Sequence, residues 1–245
     1  MATTVAAALA AELGLRSAAE LRPVPRDGAR LNADPVGLPK AILPVTPDIS
    51  GLLPYGGLAT VTAISATRQG ATSLLWRLLA GPTAAGAWCA LIGVRHRYSL
   101  TATAAGADLD RIAFVDAAGP LIADAAGALA GGVAVIVVPS DGLTPPQARR
   151  LTARARNGGT AIVWLETRPV AGPDARLDVT SARWRGLRTN TGRVWGAGEL
   201  DACELDVTAR WRSGGRRRAQ VWPYGGDPAD RTRTPSAYAR WGECP

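Results

Sequence analysis

Short apolar runs alternate with helical patterns along residues 58–168, and this alternation constrains the fold more than any other feature of the chain. The runs are rich in alanine and β-branched residues, a composition that favours strands buried on both faces. Strands that alternate with helices predict a mostly parallel sheet covered by helices. The predicted strands are LATVTAIS (58–65), AWCALIGV (87–94), DRIAFVD (110–116), VAVIVVPS (133–140) and TAIVWLETR (160–168).

Two of the predicted helices carry end signals. The segment SLLWRLLAG (73–81) is apolar and reaches a glycine, so we expect this helix to end at Gly81. In a later helix, Thr144 can cap the N-terminus and Pro145 suits the first helical position. Asn157 and the glycine after it suit the stop.

After Pro169 the pattern changes from helices to long strands. Residues 177–186 and 205–214 are near copies of each other, offset by one inserted residue, Ser181, and both alternate apolar with polar side chains. This alternation predicts half-buried antiparallel strands. We therefore expect an α/β fold whose mostly parallel, helix-covered sheet is extended by C-terminal antiparallel strands. The expected divisions are an N-terminal helix and linker (1–43), a core (44–224) and a basic, flexible tail (225–245).

Composition narrows the class of protein. The chain has 28 Lys+Arg against 20 Asp+Glu, a net charge of +8, which fits a nucleic acid or an acidic protein as partner, or an arginine-rich genome. Cys89, Cys203 and Cys244 lie far apart, so neither a zinc site nor a disulfide framework is indicated. We expect no metal and no cofactor. The N-terminus is a poor signal peptide and no apolar run could span a bilayer, which together predict a cytoplasmic protein without membrane contact.

The segment ISATRQGATSLL (64–75) has the layout of a phosphate-binding loop between a strand and a helix. Such loops follow GxxxxGK[ST], in which backbone amides and the lysine hold the phosphate and the hydroxyl holds Mg²⁺. Here Ser65 occupies the first glycine position, Gly70 the second and Ala71 the lysine position, while Thr72 is kept. The loop therefore keeps its shape but lacks its charge.

These segments, in this order, resemble the core of RecA-type ATPases over roughly residues 44–225. The resemblance is carried by WCALIGVRHRYS (88–99), VAVIVVPSDGLTP (133–145), AIVWLETR (161–168) and the C-terminal strand pair. It implies a RecA-like core and places Arg95 at the catalytic glutamate and Pro139 at the Mg²⁺-organising aspartate. Because phosphoryl transfer depends on positioning and charge neutralisation, the changes at Ala71, Arg95 and Pro139 predict that the chain is not an ATPase and has no catalytic residues.

The DNA-binding loops of that core are also missing or short, since only PVAGPDA (169–175) stands where the second would be. A RecA-like core without either function resembles the ImuA-type accessory proteins, in their mycobacterial variant. This resemblance implies a non-catalytic role in SOS-induced, error-prone translesion DNA synthesis. The implied partners are an ImuB-like inactive Y-family polymerase and an error-prone C-family polymerase. SulA-like cell-division inhibitors are the alternative family, although they are shorter.

The C-terminal quarter interleaves tryptophan with arginine. Such residues anchor protein interfaces and also bind single-stranded DNA, so a single-stranded-DNA-binding module is a further alternative. We expect DNA contact to be weak or indirect, and the segment 1–21 to form a helix that docks on RecA or on a second copy. The candidate partner-binding residues are Arg216, Arg217, Arg218, Trp222, Tyr238, Arg240 and Trp241.

Overall fold

The computed structural model describes residues 42–95, 98–186 and 202–225. The expected N-terminal helix and the candidate residues Tyr238, Arg240 and Trp241 lie outside these ranges. The strands are β1 (Val61–Ser65), β2 (Cys89–Ile92), β3 (Ile112–Val115), β4 (Val135–Pro139), β5 (Ala161–Glu166), β6 (Ala175–Arg185), β7 (Ala202–Trp211) and β8 (Arg216–Val221). The helices are α1 (Pro47–Ser50), α2 (Ala71–Ala84), α3 (Ser99–Ala104), α4 (Leu121–Leu129) and α5 (Pro145–Gly158), with 3₁₀ turns at Leu109–Arg111 and Ser140–Gly142.

The eight strands form one sheet in the order β3-β2-β4-β5-β1-β6-β7-β8. Neighbouring strands from β3 to β6 run parallel, whereas β6, β7 and β8 pair antiparallel. The predicted α/β sheet with a C-terminal antiparallel extension is confirmed. β1 lies between β5 and β6, so the strand that precedes the candidate phosphate loop is central in the sheet.

Helices cover both faces of the parallel part of the sheet. Alternate residues of each buried strand point to opposite layers, as the two-residue period of a strand requires. On β1, for example, Ile64 joins a core with α1 and α2, whereas Ala63 joins a core with α4 and α5. Trp76 fills the first layer and Trp164 the second, and both side chains are fully buried.

β6 and β7 pair antiparallel with one irregularity. Val179 lies opposite Val207 and Ser181 opposite Asp206, so Thr180, next to the inserted Ser181, forms a bulge. Trp211, at the end of β7, donates its indole N–H to the carbonyl oxygen of Leu52 at 2.8 Å. This contact ties the extension to the segment that follows α1.

The ends of two helices test the local sequence signals. Thr144 and Gln147 form a reciprocal capping box at the start of α5, as Thr144 predicts, and the left-handed residue at its end is Gly159. The prediction that α2 ends at Gly81 is wrong, because α2 continues through Pro82 to Ala84. A Cβ on Gly81 would lie 2.5 Å from the carbonyl oxygen of Pro44, so this glycine allows close packing rather than a stop.

Within the described ranges, no helix is both long enough and apolar enough to cross a membrane.

Candidate functional site

The loop after β1 has the strand-to-helix geometry that its sequence predicts. The Ala66 amide donates to the carbonyl oxygen of Glu166 at 2.8 Å, which holds the loop's start against β5. Gly70 has a φ of 90°, a left-handed conformation that favours glycine, and accepts the first helical hydrogen bond from Leu74 at 2.9 Å. The positions therefore fall as expected: Ser65 ends β1, Gly70 precedes α2, and Ala71 and Thr72 open it.

Apolar side chains from the antiparallel strands pack directly on this loop. A Cβ on Gly70 would lie 2.7 Å from Cδ2 of Leu205 and 3.4 Å from Cγ1 of Val179. Ala71, at the lysine position, is only 7% exposed and belongs to the apolar core. A lysine side chain starting here would begin among apolar side chains, where a buried charge is unfavourable. The end of the loop therefore packs on the core, whereas residues 67–69 are exposed.

The segment after β8 returns to the start of α2. The Tyr224 hydroxyl donates to Oγ of Ser73 at 2.7 Å, and its ring lies 6.0 Å from that of Trp184, centroid to centroid. Burial raises the pKa of the Tyr224 hydroxyl, and the hydrogen bond to Ser73 opposes that rise in part. No local sequence pattern predicts this contact, since the tyrosine and the serine are 151 positions apart.

The candidate catalytic positions lie at the edge where the parallel strands end. Pro139 pairs with Leu165 and Ser65 with Glu166, so Pro139 and Ser65 are separated by β5, about 10 Å across two strand spacings. Arg95 follows β2 and is exposed. The structure thus places Ser65, Arg95 and Pro139 at the C-terminal ends of the parallel strands.

The hydroxyl of Ser140, the residue after Pro139, accepts hydrogen bonds from within the fold. Oγ of Ser140 accepts hydrogen bonds from the amides of Thr167 and Arg168, each at 3.1 Å. These bonds fix the turn after β4 to the turn after β5. Because the hydroxyl serves backbone donors, it holds the edge of the sheet together.

A buried ion pair at the end of β5 was also missed by the sequence analysis. Glu166 is 5% exposed and accepts two hydrogen bonds from Arg176, at 2.7 and 2.9 Å. Glu166 also accepts a hydrogen bond from the backbone amide of Val170. The carbonyl oxygen of Val170 accepts a hydrogen bond from Arg176. The carboxylate closes the loop from β5 to β6 and is neutralised there. Among the residues that the structure describes, no cluster of three or more His, Cys, Asp or Glu side chains could hold a metal ion.

The candidate partner residues on β8 are divided between its two faces. Arg217 lies over the ring of Trp211, with its guanidinium 5.0 Å from the ring centroid, whereas Arg216 and Arg218 are exposed on the other face. Trp222 is 8% exposed and lies under Arg185 at 5.4 Å, so its ring is covered rather than presented to a partner. Trp184 is 39% exposed.

Comparison with known proteins gives two matches. Residues 51–171 match the family described as the MT3502 N-terminal domain. The uncharacterised protein Rv3395c of Mycobacterium tuberculosis is 31% identical over 154 residues, which cover 61% of this chain and 68% of that protein. The family match contains the phosphate-like loop, Arg95 and Pro139, and it ends before β6 begins.

Proposed function

The chain belongs to the family of the MT3502 N-terminal domain, and from this membership we propose that it is an ImuA-like accessory protein with a RecA-like core that does not hydrolyse ATP. The mycobacterial relative supports this choice, since the mycobacterial variant is the ImuA group that the sequence resembles. The proposed role is in SOS-induced, error-prone translesion DNA synthesis. The protein acts there by protein–protein contacts, in the cytoplasm and on the nucleoid when it is recruited to damage.

One observation carries the non-catalytic part of the proposal: the last residue of the phosphate-type loop and the lysine position after it both pack against core side chains. Leu205 and Val179 pack on Gly70, and the lysine position is a buried alanine. Removal of a single electrostatic contact commonly costs a hundredfold or more in rate. Here the lysine, glutamate and aspartate positions hold Ala71, Arg95 and Pro139, so each electrostatic contribution is missing.

The proposed partners are an ImuB-like inactive Y-family polymerase and an error-prone C-family polymerase. A protein without its own chemistry can act by joining others, and the exposed arginines on β8 fit an interface with an acidic partner. The N-terminal segment 1–21 supplies a second contact, with RecA or with another copy. DNA is contacted weakly or through the polymerases.

Co-purification from cells tests the proposal. The tagged full-length chain is expressed with the ImuB-like protein, the C-family polymerase and the tubulin-like division protein of the same genome, in cells treated with a DNA-damaging agent. We expect the ImuB-like protein to co-purify. Recovery of the division protein instead would favour the SulA-like alternative. Salt-dependent binding of single-stranded DNA, with neither protein recovered, would favour the DNA-binding alternative.

A further inference from the structure

β8 is the edge strand at the antiparallel end of the sheet. It pairs with β7 on one side, and in an antiparallel pair only alternate residues bond the neighbouring strand. The remaining amide and carbonyl groups of β8 point away from β7. No other segment of the described residues supplies a backbone partner for residues 216–221. An edge of this kind can accept an extended segment as an additional strand.

Carboxylates on the outer face of the antiparallel strands are already paired with arginines. Asp178 binds Arg210 at 2.8 Å, and Asp206 binds Arg183 at 2.9 Å. Glu204 contacts Arg183, lies 3.3 Å from Arg185, and accepts a hydrogen bond from the side-chain Nε2 of Gln220. These carboxylates are therefore paired with arginines of β6 and β7 rather than with arginines of β8.

On this face, Arg216 and Arg218 have no carboxylate partner among the described residues. They lie opposite Arg210 and Thr208 of β7, and within the described part of the chain neither forms an ion pair. A depression of about 590 Å³ lies beside them. Its lining includes the two arginines and Thr180, Asp206, Thr208 and Gln220, so hydrogen-bonding groups surround the excess charge.

We propose that the edge of β8 binds an extended acidic segment of a partner protein, which adds to the sheet as a ninth strand and places carboxylates on alternate residues over Arg216 and Arg218. The two arginines are two positions apart on one face, about 7 Å, which is the repeat of side chains on one face of a strand. The segment therefore has the pattern acidic–x–acidic. This inference deepens the proposed function and rests on it for the partner's identity.

Charge distinguishes this occupant from two others. A second copy of β8 would bring arginine against arginine, and like charges opposite each other destabilise a strand pair. A nucleic acid carries negative charge along its whole length, and it cannot bond the open backbone groups of β8. A peptide strand can carry negative charge only where it faces β8, and it also satisfies the open backbone groups.

Binding of a synthetic peptide tests the proposal. The probe is a fluorescein-labelled ten-residue peptide of alternating Glu and Thr, and its affinity for the full-length chain is measured by fluorescence anisotropy. We expect R216E/R218E to weaken binding at least about tenfold, as the loss of close charge pairs does. The matched control is R150E/R154E on α5, which makes the same change of net charge at two exposed residues. We expect it to leave the affinity nearly unchanged.

Two control peptides separate strand addition from general attraction. The Gln–Thr version should bind much more weakly, because it lacks charge. The Glu–Thr version with N-methylated amides along the edge that faces β8 should do the same, because it cannot donate to the strand. Equal binding of the methylated peptide, or equal losses in both protein variants, would overturn the proposal. So would binding of a 25-nucleotide oligothymidine, but not of the peptide, through the same arginines.

Amide hydrogen exchange provides a readout that does not depend on a variant folding. In the wild-type chain, the peptide should slow exchange across residues 216–221. If outward amides of β8 are already protected without peptide, the edge is occupied by the chain itself and the proposal is wrong. If the peptide binds as expected but the ImuB-like protein is not captured, the surface stands and the proposed function fails. If R216E/R218E captures that protein at wild-type level, the proposed function stands and the proposed binding surface on β8 is wrong.

Discussion

At the scale of single residues, Gly70 meets two requirements that a side chain would break. Its φ of 90° is left-handed, and its Cα faces Leu205 at a distance that leaves no room for a methyl group. The first requirement belongs to the backbone and the second to packing. The two can be separated, since Gly119 has a φ of 55° with no heavy atom near its missing Cβ.

We expect Gly70→Ala to lower the free energy of unfolding by roughly 2–4 kcal/mol, from the left-handed backbone and from overpacking against Leu205. Gly119→Ala should cost about 1 kcal/mol, because only the backbone term applies. Urea denaturation followed by circular dichroism measures both. Equal losses in the two variants would show that packing at Gly70 contributes nothing.

Ala71→Lys restores the missing residue of the phosphate loop, and we expect no Mg²⁺-dependent ATP hydrolysis from it. The new side chain begins in the apolar core, and Arg95 and Pro139 still occupy the catalytic positions. A coupled phosphate-release assay on the wild type and the variant checks this. Turnover that Thr72→Ala abolishes, in either protein, would contradict both this prediction and the proposed lack of activity.

Cys89 makes stability depend on pH in the alkaline range. Burial raises the pKa of its thiol from 9.0 to about 12, so above pH 9 the unfolded chain ionises while the folded chain does not. The contribution of the buried thiol to the free energy of unfolding is complete below pH 9 and is lost as pH rises towards 12. Between pH 8 and 10 we expect a loss of roughly 1 kcal/mol from this thiol. Urea titrations at both values should show a smaller loss for Cys89→Ala, and the same loss would refute the assignment.

At the scale of secondary-structure elements, the Glu166–Arg176 pair joins the end of β5 to the start of β6. It spans a loop of few residues and lies beside β1, which both strands flank. Arg176 is partly exposed whereas Glu166 is buried, so loss of the arginine leaves a carboxylate without its cation. This asymmetry makes the arginine the informative residue to change.

Arg176→Met should lower the free energy of unfolding by roughly 2–4 kcal/mol, because a buried carboxylate loses its partner. Arg210→Met removes an exposed ion pair and should cost at most about 1 kcal/mol. Thermal or urea unfolding compares the two variants. Adding Glu166→Gln to Arg176→Met should recover part of the lost stability, because it removes the unpaired charge. A further loss of stability would mean that the unpaired carboxylate is not the cause.

Local patterns predicted the elements well where neighbouring residues determine them. The N-terminal cap at Thr144 and the two paired strands β6 and β7 follow from spacing along the chain. The end of α2 did not, because Gly81 serves a contact with Pro44 that only the tertiary structure brings together. For the same reason the sequence predicted the loop at Gly70 but not the side chains of β6 and β7 that pack against this glycine.

At the scale of the whole molecule, the described chain ends in a segment that belongs to the core. Trp222 is buried and Tyr224 bonds Ser73 at the start of α2. The interface expected in residues 225–245 begins directly after Tyr224. Two truncations on either side of this boundary distinguish a structural segment from a binding one.

Deleting 226–245 should leave the circular dichroism spectrum and the melting temperature nearly unchanged and should weaken capture of the ImuB-like partner, which keeps its contact with the edge of β8. Deleting 222–245 should also lower the melting temperature by several degrees, because Trp222 and Tyr224 are lost. Differential scanning calorimetry and co-purification measure the two effects. Full capture by the first truncation would place the interface on the core, and Trp241→Ala, expected to cost about 2 kcal/mol of binding, would then have no effect.

The position of β1 between β5 and β6 has a consequence for synthesis on the ribosome. β1 is made early, yet one of its two neighbours begins at Ala175, more than a hundred residues later, and Asp174 bonds Val61 from both its backbone and its side chain. Contacts so distant in sequence slow folding, because the chain must close a long loop first. A nascent chain that stops within the family-matched region leaves this central strand as an open edge and Gly70 without Leu205. The molecule can complete its core only after its antiparallel strands have emerged from the ribosome.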